Sequence, residues 1–106
     1  MSTDRADLAE VFKALSNPAR LEILNWLREP DKNFAEWEPI ADRAEFGVCV
    51  THIQAKSGLA QSTTSAAMAL LERAGLVRSA RVGKYRHYRR DEERIAGFVA
   101  ALGRDL

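Results

Sequence analysis

Cys49, His52 and His87 are the side chains of this sequence best equipped for covalent or metal chemistry, and they are its only cysteine and histidines. Cys49 and His52 are three residues apart, which on a helix puts both on one face, where an imidazole can hold a thiol as the reactive thiolate. That pair is the candidate redox sensor. The competing reading of Cys49 is a small buried apolar residue, as free cysteines commonly are. A tetrahedral metal site takes about four nitrogen or sulfur ligands. Three such side chains fall short unless carboxylates from a second subunit complete the set, so no metal is expected. His87, between Arg86 and Tyr88, reads as a phosphate contact or a hairpin side chain rather than a ligand. The sequence holds no glycine-rich phosphate loop, nucleophile elbow or His-Glu metal helix, and the Cys49/His52 pair has no evident oxyanion stabiliser. Neither an enzyme nor a cofactor is expected.

Non-covalent recognition is better supplied. Gln61, Ser62, Thr63, Thr64 and Ser65 open an apolar-periodic stretch without one charge among them. Surface helices are usually filled with Lys and Glu, and Ser and Thr are weaker helix formers, so this choice needs a reason. Short donors and acceptors let a helix N-terminus approach base edges and phosphates closely, while the helix dipole favours the phosphate. Further on, Arg73, Arg78, Arg81, Lys84, Arg86, Arg89 and Arg90 follow one another with no acid in between. A polyanion such as DNA is the natural counterpart of that run, and a solvated edge strand defended by charge is the alternative. The formal net charge of +1 conceals this asymmetry.

The elements that must position these groups follow from periodicity. Leu8, Val11, Phe12 and Leu15 recur at helical spacing in a first helix from about Asp4 to Leu15, with Thr3 able to cap it. Asn17 caps a second helix with Pro18 at its first position, reaching about Arg28, with Leu21, Leu24 and Leu27 as an inward stripe that Ile23 widens. Residues 29–47 hold two prolines and six acids against Lys32 and Arg43, which reads as a long connector, functional or partly mobile, with room for short helical turns. Its Phe34, Trp37 and Phe46, with Trp26, could line a small-molecule pocket or anchor the loop. A third helix begins at about Val50, turns Ile53 inward and ends at Gly58 as a left-handed cap. The next runs from about Gln61 to Ala74 with Met68 and Leu71 inward and Gly75 as its stop. Two helices joined by a tight glycine turn form the helix-turn-helix pattern. Residues 76–90 alternate on both sides of "VGK" as a β-hairpin, and Asp91 caps a last helix carrying Ile95, Phe98, Val99 and Leu102.

With 106 residues and 46% apolar content the chain can build one small core, and we expect a single domain over 1–106. A domain this small often gains stability by pairing with a copy of itself. No apolar run approaches the roughly 18 residues that span a membrane, and no leader pattern is evident, so the expectation is a cytoplasmic protein without membrane contact.

The order of helix, helix, helix-turn-helix, basic wing and helix resembles the ArsR/SmtB family of winged-helix transcriptional repressors. Residues 11–27, "VFKALSNPARLEILNWL", and 58–90, "GLAQSTTSAAMALLERAGLVRSARVGKYRHYRR", carry the resemblance. It implies a mainly α fold with a β-hairpin wing, about five helices and two strands. It also implies a homodimer through the first and last helices, a repressor that binds palindromic double-stranded DNA with half-sites about 34 Å apart. By position, Gln61, Ser62, Thr63 and Ser65 would read or clamp DNA, and Arg81, Lys84 and Arg86 would reach phosphates or the minor groove. Ala66 and Ala67 stand where family recognition helices often continue with Arg-His, so a contact there is moved or lost. Metal-sensing members show "CVC" where this chain has "CVT" at residues 49–51, and acid and histidine ligands on a last helix that here has no histidine. An unknown small-molecule or redox effector remains open on these residues. A winged helix used only for protein contacts is the rival reading, separable by the steep salt dependence of phosphate neutralisation.

Overall fold

Leu8, Val11 and Ala14 lie one helical turn apart on α1 (Arg5–Leu15) and are buried, while Phe12 stays 49% exposed. The computed structural model describes residues 5–106; the expected Thr3 cap and Asp4 start lie outside them. Asn17 accepts a hydrogen bond from the Arg20 amide at 3.1 Å and so caps α2 (Pro18–Trp26), in which Pro18 fills the position that needs no N–H. Ile23, Leu24 and Leu27 enter the core as expected. Leu21 does not: it is 51% exposed, because the buried face of α2 is centred on Ile23 and Leu24 and Leu21 falls outside it.

The connector is packed against the core. It contains two short helices, α3 (Pro30–Asn33) and α4 (Arg43–Phe46), the second capped by Asp42. Phe34 between them is fully buried, its ring edge-on to Trp26 at 6.3 Å and tilted against Trp37 at 6.1 Å. Lys56 lies over the Trp26 ring at 5.0 Å, so these rings close on one another. Arg43 threads inward and donates to the carbonyls of Phe34 at 2.9 Å and Trp37 at 2.8 Å, with Asp31 3.7 Å away. Those two hydrogen bonds both leave from Nη2 and staple the loop, while the buried Nε has no hydrogen-bond partner among the described residues.

After α4 the chain turns at Gly47, whose φ of 87° and close approach to the Tyr88 carbonyl exclude a side chain. It then forms β1 (Val48–Cys49), which pairs antiparallel with β3 (Tyr85–Arg90). The helix-turn-helix follows: α5 (Val50–Ser57), Gly58 in the left-handed conformation at φ 72°, and α6 (Gln61–Arg73). β2 (Val77–Val82) and β3 complete a sheet of order β1-β3-β2, and α7 (Glu92–Asp105) starts at the Asp91 cap. Among the described residues there are thus seven helices and three strands, where sequence suggested about five and two. The additions are one-turn helices and a two-residue strand, too short for any periodicity to announce. Met68, Leu71, Ile53, Ile23, Val48 and Phe98 belong to one hydrophobic cluster that holds α6 against the other helices. Among the described residues no helix is long and apolar enough to cross a membrane.

Because Phe34 anchors the connector in that cluster, Phe34→Ala is expected to lower unfolding free energy by about 3–5 kcal/mol in urea denaturation. A side chain on a loosely attached loop would cost under about 0.5 kcal/mol.

Candidate nucleic-acid interface

The helix-turn-helix presents α6 by its N-terminal half. Ala67, Met68 and Leu71 are buried, and the opposite edge, Gln61, Ser62, Thr63, Ser65, Ala66 and Ala69, is exposed and carries no charge. The N-cap residue, Ala60, supplies no side-chain acceptor, so no N-cap side chain caps the first amides of α6. Thr64 differs from its neighbours. It is 1% exposed and its Oγ1 donates to the Ala60 carbonyl at 3.0 Å, so this member of the polar cluster locks the turn. Ser57 does similar work one turn earlier, donating to the Gln54 carbonyl at 3.1 Å and accepting from the Leu59 amide at 3.3 Å.

The wing follows from strand register. Arg81 stands directly opposite Arg86, and Arg78 opposite Arg89. Like charges at such positions destabilise a ladder. Two of the cations are held within the protein. Arg90 donates to both Glu92 oxygens at 2.9 and 3.0 Å and lies against the Leu24 carbonyl at 3.4 Å. Arg86 donates to Ser79 Oγ at 3.0 Å, and Ser79 donates to Glu72 at 2.6 Å. The side chains of Arg73, Arg78, Arg81, Lys84 and Arg89 have no hydrogen bond or ion pair among the described residues, and all five residues are exposed. Burial pushes the Tyr88 phenol above its ordinary pKa, the Arg86 charge opposing and Glu72 adding, so it remains a neutral hydroxyl at the foot of the wing.

The sensor candidates are placed differently from expectation. Cys49 is 2% exposed at the end of β1, with its sulfur 3.0 Å from the Thr51 hydroxyl. His52 stacks on Trp37, ring centroids 5.9 Å apart and planes 22° from parallel. Among the described residues no hydrogen bond joins Cys49 to His52, and the buried-residue reading of the cysteine describes its surroundings better. His87 is 1% exposed, opposite Cys49 and Ala80 in the sheet, with Nδ1 3.3 Å from the Tyr85 carbonyl. It therefore cannot reach a phosphate; the hairpin side-chain reading holds. Among the described residues no group of three His, Cys, Asp or Glu side chains is placed to hold a metal. Sequence missed Glu72 and Ser79, whose pairing needs three elements folded together before any signal exists.

An exposed, uncharged recognition helix at the end of a helix-turn-helix, flanked by a basic β-hairpin, defines a winged helix-turn-helix DNA-binding protein. The known proteins agree. The chain is 55% identical over 97 residues to the uncharacterized HTH-type transcriptional regulator YbzH of Bacillus subtilis, covering 92% of this chain and 96% of that one. The ArsR-like transcriptional regulator of a Rhodococcus species has a similar fold, with TM-score 0.67 and 26% identity over 93% of this chain and 78% of that one. So has the homodimeric winged helix-turn-helix domain of an ArsR-family candidate from Mycobacterium bovis, with TM-score 0.62 and 29% identity over 96% and 84%. No model of a protein family matches the chain. The chain belongs to the ArsR family of winged helix-turn-helix transcriptional regulators, which are DNA-binding proteins.

The His52 pKa lies below its ordinary value, first because burial disfavours the imidazolium, then because Arg43 and His87 oppose its charge. Folding thus favours the neutral ring, and the stability it contributes at neutral pH is lost as pH falls from the ordinary histidine range through the lowered value. A histidine NMR titration is expected to place its midpoint below the model-peptide value of about 6.5, and Trp37→Ala, which uncovers the ring, to move that midpoint upward.

Proposed function

We propose that the chain acts as a dimeric repressor that places one α6 per subunit in successive major grooves of a palindromic operator, in the cytoplasm. The observation that carries this reading is the pairing of an uncharged exposed α6 edge with unpaired cations on the adjacent wing. Gln61, Ser62, Thr63 and Ser65 would read base edges or clamp phosphates from the uncapped helix start, and Arg81 and Lys84 would hold the backbone. Support for the dimer comes from apolar surface at both ends of the chain. Phe12 of α1 is 49% exposed and Val99 of α7 62% exposed. Leu8, Ala9 and Phe12 also border, with Asp105 and Leu106, a groove of about 440 Å³ between the two helices. The homodimeric Mycobacterium bovis domain has the same fold. Cys49 is left out of this function, since its sulfur is buried against a hydroxyl.

Fluorescence anisotropy across a salt series tests the assignment, with the duplex from upstream of the gene and a duplex enriched from a random pool, each against its scrambled version. Thr63→Ala and Ser65→Ala are expected to reduce discrimination roughly five- to tenfold while leaving scrambled binding intact. Arg81→Ala should weaken every duplex and flatten the log-log salt slope by about 0.9 per subunit. Val99→Glu, which charges the exposed apolar surface of α7, should sediment as a monomer and lose binding to paired half-sites. Absence of binding at every salt concentration would favour a winged helix that contacts only proteins.

A further inference from the structure

A single hydroxyl joins the recognition helix to the wing. Ser79 Oγ on β2 donates to Glu72 Oε2 in the last turn of α6 at 2.6 Å and accepts from Arg86 Nη1 on β3 at 3.0 Å. The Ser79 proton goes to a carboxylate, which makes the bond short and charge-assisted, and leaves the hydroxyl oxygen to face the guanidinium. Glu72 and Arg86 are thus bound to each other through Ser79, without a direct ion pair between them.

The position of this relay matters. β1 pairs with β3 only at Val48–Tyr88 and Cys49–His87. Beyond that point the sheet is a two-stranded ribbon, Arg81 and Val82 against Tyr85 and Arg86, closed by Gly83 and Lys84. A two-stranded ribbon is marginal by itself, and this one sets Arg81 against Arg86. The relay lies where three strands become two, draws Arg86 away from Arg81 toward α6, and ties the base of the free ribbon to the helix that faces DNA.

We propose that Ser79 is a positioning residue for operator reading: through Glu72 and Arg86 it fixes the angle between α6 and the wing. Arg86 stays on the protein, leaving Arg81 and Lys84 as the wing's DNA contacts. This assignment rests on the DNA-binding reading above and revises the expectation that Arg86 reaches a phosphate. Ser79 touches no nucleic acid in this scheme. Its loss changes how well α6 and the wing fit a particular sequence at the same time, and leaves the attraction of the cations for any duplex in place.

The test uses a duplex enriched from a random pool by the wild-type protein, and its scrambled version, with Ser79→Ala, Ser79→Thr and Glu72→Gln. Ser79→Ala is expected to lower the ratio of the two affinities about fivefold, the scale of one lost hydrogen bond. The salt slope and the affinity for the scrambled duplex should stay as in the wild type. Ser79→Thr, which keeps the hydroxyl on a residue well suited to a strand, should restore the ratio, and Glu72→Gln should lower it. A Ser79→Ala ratio within about twofold of wild type overturns the proposal, as does equal weakening on both duplexes or failure of Thr to restore. If the wild-type protein enriches no duplex, the DNA-binding reading fails first, an outcome distinct from normal wild-type discrimination that ignores Ser79.

Discussion

The wing answers to one electrostatic constraint: a short hairpin that sets Arg81 against Arg86 and Arg78 against Arg89 must be held together despite itself. Three features meet that constraint. β1 gives β3 a third strand at its base, where Val48 and Cys49 pair with Tyr88 and His87. The Glu72–Ser79 pair takes Arg86 out of the repulsion, and the Glu92 carboxylate neutralises Arg90 at the base of the hairpin. What remains unpaired, Arg78, Arg81, Lys84 and Arg89 with Arg73 nearby, is positive surface beside an uncharged helix edge. The hairpin thus divides its cations between those spent on the fold and those left exposed.

The acidic connector takes part in the same solution. Phe34 and Arg43 fix it to the core, and its exit through Gly47 delivers Val48 and Cys49 to the hairpin at the correct register. Nothing longer than two residues is needed, because the neighbouring Ile53 and Tyr88 carry the hydrophobic contact. The stacking of Trp37 on His52 then joins the connector to α5, the first helix of the helix-turn-helix. A change in the connector would therefore reach α5 and β1 together.

Much of this was legible in the residues. Asn17-Pro18, Gly58, Gly75 and Asp91 mark helix ends by mechanisms that act within a few residues, and all four lie at or next to the boundaries observed. The five-residue polar start of α6 was also visible, although sequence could not separate Thr64 from its neighbours. Only the folded turn shows that its hydroxyl reaches the Ala60 carbonyl. What stayed hidden was non-local. A two-residue strand has no period, a buried arginine in an acidic stretch looks solvated, and His87 among arginines looks exposed until β1 is laid across it. Leu21 shows the reverse error, a leucine at core spacing that the packing of α2 leaves outside.

The most direct test of the account is to map the DNA footprint on the protein by amide chemical shifts, titrating the labelled protein with a duplex enriched from a random pool. Shifts concentrated at Gln61–Ser65 and at the wing tip from Arg81 to Lys84, with the connector and the exposed face of α2 unchanged, are the predicted result. Shifts centred on the connector or α2, with α6 silent, would contradict it.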